Sequence, residues 1–167
     1  MDESRGFEIR PVRATEFAAL GRLTVEAYRA LEGGGDLGGY ANELEDVARR
    51  AAAARVLVAD DGEGLLGGVT FVPDHRNPFA EELRPGEVGI RMLAVAPTAQ
   101  GRGVGRGLSV VCLELARESG ASAVALHSTP WMTAAHHLYE SLGFVRSPER
   151  DLRVSTDLVL LSFVLDL

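Results

Sequence analysis

The chain has 167 residues, and its 24 carboxylates outnumber 17 positive side chains, all arginine, for a net charge of −7. An acidic chain of this kind argues against non-specific nucleic-acid binding and mildly favours a cationic small-molecule partner such as an amine. No apolar run approaches the roughly 18 residues that span a bilayer, and the opening MDESRGFEIR lacks the apolar stretch of a secretory leader.

These features lead us to expect one cytoplasmic domain over residues 1–167, with no membrane partner and a substantial core. Phe7–Arg13 alternates as a first strand, and Pro11 places it at a sheet edge. Thr15 reads as the N-cap of a helix whose apolar face carries Phe17, Leu20, Thr24, Ala27, Tyr28 and Leu31. The stretch GGGDLGG (Gly33–Gly39) is a flexible loop by composition. A second helix, about Tyr40 to Ala54, buries Leu44, Val47 and Ala51. Arg55–Asp60 and Leu65–Val72 form a hairpin around Asp61-Gly62-Glu63-Gly64.

A polar, proline-containing loop from Pro73 to Gly86 leads to a strand over Glu87–Val95, which Pro97-Thr98 breaks. A long helix follows, with its apolar face at Val104, Leu108, Val111, Cys112 and Leu115. Cys112 is the only cysteine and reads as a buried structural thiol. Ser122–His127 is a further strand, Thr133–Leu142 a short helix stopped by Gly143, and Phe144–Arg146 and Leu158–Leu165 close the sheet. The last strand is apolar on both faces, which fits burial and a homodimer seam equally well. A helical crossover makes the strand after the long helix parallel to the strand before it, while the hairpins are antiparallel. The predicted architecture is a mixed α/β fold, a central mixed sheet of about six or seven strands flanked by about four helices.

The stretch Leu93–Leu108, LAVAPTAQGRGVGRGL, carries the chemistry. A strand that runs through a glycine turn into a helix leaves backbone N–H groups free at the positive end of the helix dipole, an arrangement that holds phosphate. A Walker loop requires a lysine, and the chain has none. A dinucleotide G-x-G-x-x-G fails because Arg106 and Leu108 stand where the last glycine is needed. What fits is Q-x-x-G-x-G, filled by Gln100, Gly103 and Gly105.

This loop resembles the acetyl-coenzyme A pyrophosphate loop of the GNAT N-acetyltransferase superfamily. Farther on, His137–Phe144 (HLYESLGF) resembles that family's LYE-x-x-GF segment, in the right order and at the right separation. The resemblance covers roughly Glu87–Phe144 and implies an acetyltransferase that moves an acetyl group from acetyl-CoA to a primary amine by direct attack in a ternary complex. It assigns pantetheine and thioester contacts to the backbone of Leu93, Ala94 and Val95, which requires that strand to splay from its neighbour. It assigns the pyrophosphate to Gln100, Gly101, Arg102, Gly103, Val104, Gly105 and Arg106, and protonation of the departing thiolate to Tyr139. No metal is implied, and the paired His136 and His137 point about 100 degrees apart on a helix, against a shared metal site.

Three positions depart from the family pattern. Gly89 stands where a glutamate base is common, leaving Glu87, on the same strand face two residues earlier, as the candidate. Asp74, His75 and His127 are further alternatives. Met132 replaces a frequent asparagine, whose hydrogen bond Ser128 or Thr133 would have to supply, and Trp131-Met132 is read as a wall of the pantetheine or acceptor site. The acceptor, expected to be a small-molecule amine, would be chosen by the first two helices, the Gly33–Gly39 loop and the Pro73–Gly86 loop. The competing expectation is a CoA-binding regulatory module without turnover, and a donor longer than acetyl is also open.

Overall fold

The computed structural model describes residues 6–31 and 37–167, so Gly33 to Asp36 of the glycine loop lie outside the described residues. The chain runs β1 (Glu8–Pro11), α1 (Phe17–Arg29), α2 (Tyr40–Glu45), α3 (Val47–Ala53), β2 (Arg55–Asp60), β3 (Leu65–Val72) and β4 (Glu87–Val95). It continues through α4 (Val104–Glu118), β5 (Ala123–Ser128), α5 (Thr133–Ser141), β6 (Val145–Arg146), β7 (Leu152–Arg153) and β8 (Val159–Asp166).

The strands form one mixed sheet in the order β1-β2-β3-β4-β5-β8-β6, with β7 paired to the other half of β8. Only β4 and β5 are parallel, joined by the α4 crossover, as the sequence led us to expect. Pro11 does lie on the edge strand, where its missing N–H breaks no second ladder. The apolar β8 lies inside the sheet, between β5 on one side and β6 and β7 on the other.

Strand β2 reads as a continuous apolar run because both faces of the sheet are covered. Val56 and Val58 pack with Leu20 of α1 and Val47 of α3, whereas Leu57 and Ala59 join Val104, Leu108 and Cys112 of α4. In β3, Gly68 permits the close approach of α1, since a Cβ there would stand 2.6 Å from Leu20 Cδ1.

Three local details differ from the sequence expectations. Thr15 is not an N-cap: it sits inside a 3-10 turn, Ala14–Glu16, that feeds α1, and the Glu16 carboxylate accepts the Arg13 N–H at 2.8 Å. The second helix breaks at Asp46 (φ −80, ψ 66), whose carboxylate caps α3 by accepting from Arg49 N at 3.1 Å. Buried Arg50 supports the break by donating to the Glu43 and Leu44 carbonyls at the end of α2, at 2.6 and 3.1 Å. Finally, β7 is a two-residue strand with no pattern long enough to read, so the sheet reaches eight strands among the described residues.

Candidate functional site

The site begins where β4 leaves β5. Their parallel ladder is limited to Glu87↔Ala123, Val88↔Val124 and Gly89↔Ala125, while β5 goes on pairing with β8 through Ser128. On its other side β4 is bulged, since Thr70 pairs with Arg91 and Gly68 with Ala94, leaving one extra residue in β4. Met92, within the bulge, is held at φ +53, in the left-handed region that non-glycine residues rarely adopt. From Ile90 to Val95, β4 therefore presents to β5 an edge with no ladder partner, and the two strands splay into a cleft. The expected backbone contacts Leu93, Ala94 and Val95 lie on this edge. The Val95 carbonyl already accepts from Gln100 Nε2 at 3.3 Å, tying the loop to the strand.

The glycine loop closes one end of the cleft. Gly101 and Gly103 both have φ +79, and the space beside their Cα atoms is open, so the backbone is bare to an approaching ligand. Gly103 caps α4 without a side-chain bond, and the first N–H of the helix to find a carbonyl is that of Gly107, on Gly103 O at 2.9 Å. The N–H groups from Gly101 to Arg106 have no acceptor among the described residues. Two arginines flank them: Arg102 approaches Asp61 at 3.4 Å, and Arg106 donates to Ser141 Oγ at 2.9 Å, linking α4 to α5. Unpaired donors, open glycines and a dipole end fit a pyrophosphate.

Tyr139 projects from α5 into the core, its ring 5.7 Å from that of Phe144 and 6.0 Å from that of Phe163. Burial holds its phenol well above the ordinary range, so it stays protonated at neutral pH. Its hydroxyl makes no hydrogen bond to another described residue. Cys112 is fully buried and its thiol is pushed up to about 12 by burial, as suits a packing residue and not a nucleophile.

Glu87 is not brought to the cleft. It sits on the paired part of β4, and both its oxygens are taken by Arg150, at 2.9 and 2.7 Å, with a third bond from the Arg84 N–H at 2.9 Å. Burial opposes its ionisation, but the Arg150 and Arg84 hydrogen bonds bring its carboxyl below the usual range. The place a side chain at Gly89 would take is filled by Leu83, whose Cδ1 would lie 3.3 Å from a Cβ there. Asp74 and His75 line a shallow depression with Arg76 and Asn77, which shares no residue with the cleft.

Beside the splay lies a cavity of about 470 Å³. Tyr28, Leu31, Leu37 and Tyr40 wall one side, Trp131 and Met132 another, and Val154, Leu158 and Leu160 a third. Arg91 and Met92 of β4 face His127, Ser128 and Thr129 of β5 and the loop after it. Its one carboxylate, Glu81, is paired with Arg91. The Met132 sulfur accepts from Ser128 Oγ at 3.4 Å, and His136 meets Ser128 Oγ and the Thr129 carbonyl at 3.1 and 3.0 Å, so Ser128 is engaged locally and Thr133 is exposed. The acceptor-selecting segments named from the sequence supply Tyr28, Tyr40 and Glu81, but the wall from Val154 to Leu160 was missed. Its only signal is three apolar residues on either side of a polar turn.

A family model described as the acetyltransferase (GNAT) family matches residues 20–144. Similar curated proteins are mycothiol acetyltransferases. The one from Renibacterium salmoninarum is 34% identical over 94 residues, 56% of this chain and 27% of the relative. The one from Thermomonospora curvata is 34% identical over 108 residues, 62% of this chain and 33% of the relative. The chain thus spans about a third or less of the length of these relatives. Among solved structures, a GCN5-related N-acetyltransferase from Kribbella flavida superposes with a TM-score of 0.70 at 25% identity, covering 97% of this chain and 98% of that one. A Salmonella typhimurium protein solved with its cofactor acetyl-CoA superposes with a TM-score of 0.68 at 22% identity, covering 96% of this chain and 94% of that one.

Proposed function

From the premise that the chain belongs to the GNAT acetyltransferase family, we propose that it transfers the acetyl group of acetyl-CoA to a small primary amine with an apolar body. The observation that carries the reading is the splay of β4 from β5 between an anion-ready glycine loop and a closed apolar cavity. The donor is a substrate that supplies an activated acyl group. The N–H groups of Gly101–Arg106 hold its pyrophosphate, and the unpaired edge of Leu93–Val95 aligns its pantetheine arm and carbonyl. Backbone donors aimed at the carbonyl oxygen, where charge develops during attack, are worth about 3 kcal/mol each.

The amine nitrogen bonds to the thioester carbonyl carbon as the carbon–sulfur bond breaks, and the Tyr139 hydroxyl gives its proton to the departing sulfur. A phenol raised by burial remains a donor throughout the neutral range, though forming a phenolate there is costly, so donation is coupled to recovery of a proton from the amine nitrogen. The acceptor class follows from the cavity walls: aromatic and aliphatic side chains surround one ion pair, so the cavity carries no uncompensated charge for a polar or highly charged body to meet. The mycothiol name of the curated relatives belongs to proteins about three times the length of the matched segment, and the apolar lining here favours a different acceptor.

The test is calorimetric titration with acetyl-CoA, with ADP and NAD as controls, followed by thiol release across 2-phenylethylamine, glucosamine, spermidine and a peptide with a free N-terminus. Micromolar acetyl-CoA binding and turnover strongest with 2-phenylethylamine are expected. Binding without turnover on any amine would favour the regulatory module, and no binding would refute the donor site.

A further inference from the structure

His127 stands at the end of β5, where the cavity meets the splay, and its Nε2 lies 3.0 Å from the backbone carbonyl of Arg150. A carbonyl only accepts, so Nε2 carries the hydrogen, and the neutral ring keeps its lone pair on Nδ1. Nδ1 has no hydrogen-bond partner among the described residues. The carbonyl that sets this tautomer is itself fixed. The Arg150 side chain grips Glu87 with both terminal nitrogens and also donates to the Glu82 carbonyl at 3.1 Å. The next residue, Asp151, is held by Arg146 at 2.6 and 2.9 Å and by the Ser162 N–H at 2.8 Å. The turn Pro148–Arg150 is thereby pinned at both ends.

We propose that His127 is the base that takes the proton from the acceptor's ammonium, and that Glu87 and Arg150 are positioning residues that present its free nitrogen to the cavity. This rests on the acetyltransfer reading above. The other polar groups lining the cavity cannot do the task. Tyr28 and Tyr40 are phenols that burial holds in the protonated form, Arg91 is a cation, the Glu81 carboxylate is spent on Arg91, and Ser128 is bonded to Met132 and His136. The charges around His127 are also compensated on every side. Glu81 answers Arg91 from the β4 side, Glu87 answers Arg150 from beneath, and Arg146 answers Asp151 from the following turn. A new positive charge on the imidazole therefore meets no net repulsion.

The protons balance. The ammonium gives one N–H proton to His127 Nδ1 and keeps the electron pair, and the freed amine attacks the acyl carbon. The sulfur leaves with the Tyr139 proton, a second proton from the amine nitrogen restores the phenol, and the imidazolium releases its proton to solvent. Each turnover yields the amide, the thiol and one proton.

The experiment uses the full chain, acetyl-CoA and 2-phenylethylamine, with H127Q and E87Q compared with the wild type. The pH profile of kcat/KM for the amine, the acetyl-CoA dissociation constant and the imidazole nitrogen NMR signals are read together. The wild type is expected to lose activity along an acid limb and to show the Nε2–H form of His127. H127Q should lose about 100-fold in kcat and the limb with it, with acetyl-CoA affinity within about twofold of wild type. E87Q should shift the limb, lower kcat by about tenfold, and mix the two tautomers. An H127Q enzyme that keeps the limb, or a wild-type ring in the Nδ1–H form, overturns the base. An E87Q enzyme that melts earlier but keeps the wild-type profile and tautomer overturns the positioning pair. The NMR arm needs no turnover, so it decides the tautomer even if this amine is a poor acceptor. A wild type that fails to bind acetyl-CoA overturns the underlying reading instead, and the base with it.

Discussion

Gly103 combines a left-handed backbone with open space on its Cα, so its two roles can be separated by one substitution. In G103A the added methyl clashes with nothing, and the cost is the φ of +79, about 1 kcal/mol. For a domain of this size that lowers Tm by roughly 2–4 °C. If the loop relaxes to a negative φ, however, its N–H groups no longer converge on one anion. Acetyl-CoA affinity should then fall by about tenfold or more, about 1.4 kcal/mol, while an unfolding curve records the smaller loss. Tyr139 makes the opposite prediction. Y139F removes an unpartnered hydroxyl from a ring that packs on Phe144 and Phe163, so Tm should stay put or rise slightly. Steady-state kinetics should show kcat down about 100-fold with acetyl-CoA binding unchanged.

At the scale of elements, the N-terminal strand is fastened to the sheet by charge as well as by its ladder. Arg10 on β1 reaches Glu16 in the turn before α1 at 2.6 Å and Asp60 at the end of β2 at 2.7 Å. Hydrogen bonds from Arg10 hold both carboxyls below their ordinary range. A lowered folded-state pKa means stability that is present above the unfolded values, about 3.9 for Asp and 4.3 for Glu, and lost as pH falls through the folded ones. Melting followed from pH 6 down to about pH 3 should therefore show a shallower decline in R10M than in the wild type, from a lower starting point. Elements of this kind were partly legible in the sequence. The hairpin, the Pro11 edge, the α4 face and the Gly143 stop follow from short-range rules of period and turn chemistry. The break at Asp46 was not legible, because Tyr40–Ala54 keeps helical periodicity throughout and the interruption depends on Arg50 capping carbonyls seven and six residues back. The role of Glu87 was misjudged for a similar reason. Its partner Arg150 is 63 residues away, and no local pattern announces a pair closed through the C-terminal turn.

Across the whole molecule, two bodies of structure meet at a narrow seam. β1 to β4 with α1 and α4 form one flank, and β5 with β6 to β8 and α5 the other, and below the cleft their strands share a ladder of only three residue pairs. The Glu87–Arg150 bond lies at the same end and clamps the flanks where they touch. Above it they part, and whatever enters the cleft contacts both. A donor that spans the β4 edge and the glycine loop should therefore add stability to the folded state as a whole, by about 2.7 kcal/mol at one hundred times its dissociation constant. That corresponds to a rise in Tm of roughly 5–10 °C. ADP, which carries the pyrophosphate but no pantetheine arm, should engage the loop alone and raise Tm by less, and NAD should do little. Hydrogen exchange locates the effect. Acetyl-CoA should slow exchange at Ile90–Val95 and Gly101–Arg106, whose N–H groups lack partners across the cleft or in the loop, and leave the β1–β2 ladder unchanged. Equal slowing by ADP along Ile90–Val95 would mean that the strand edge responds to the loop without being touched, and the splay would then be a consequence of folding with no part in holding the donor.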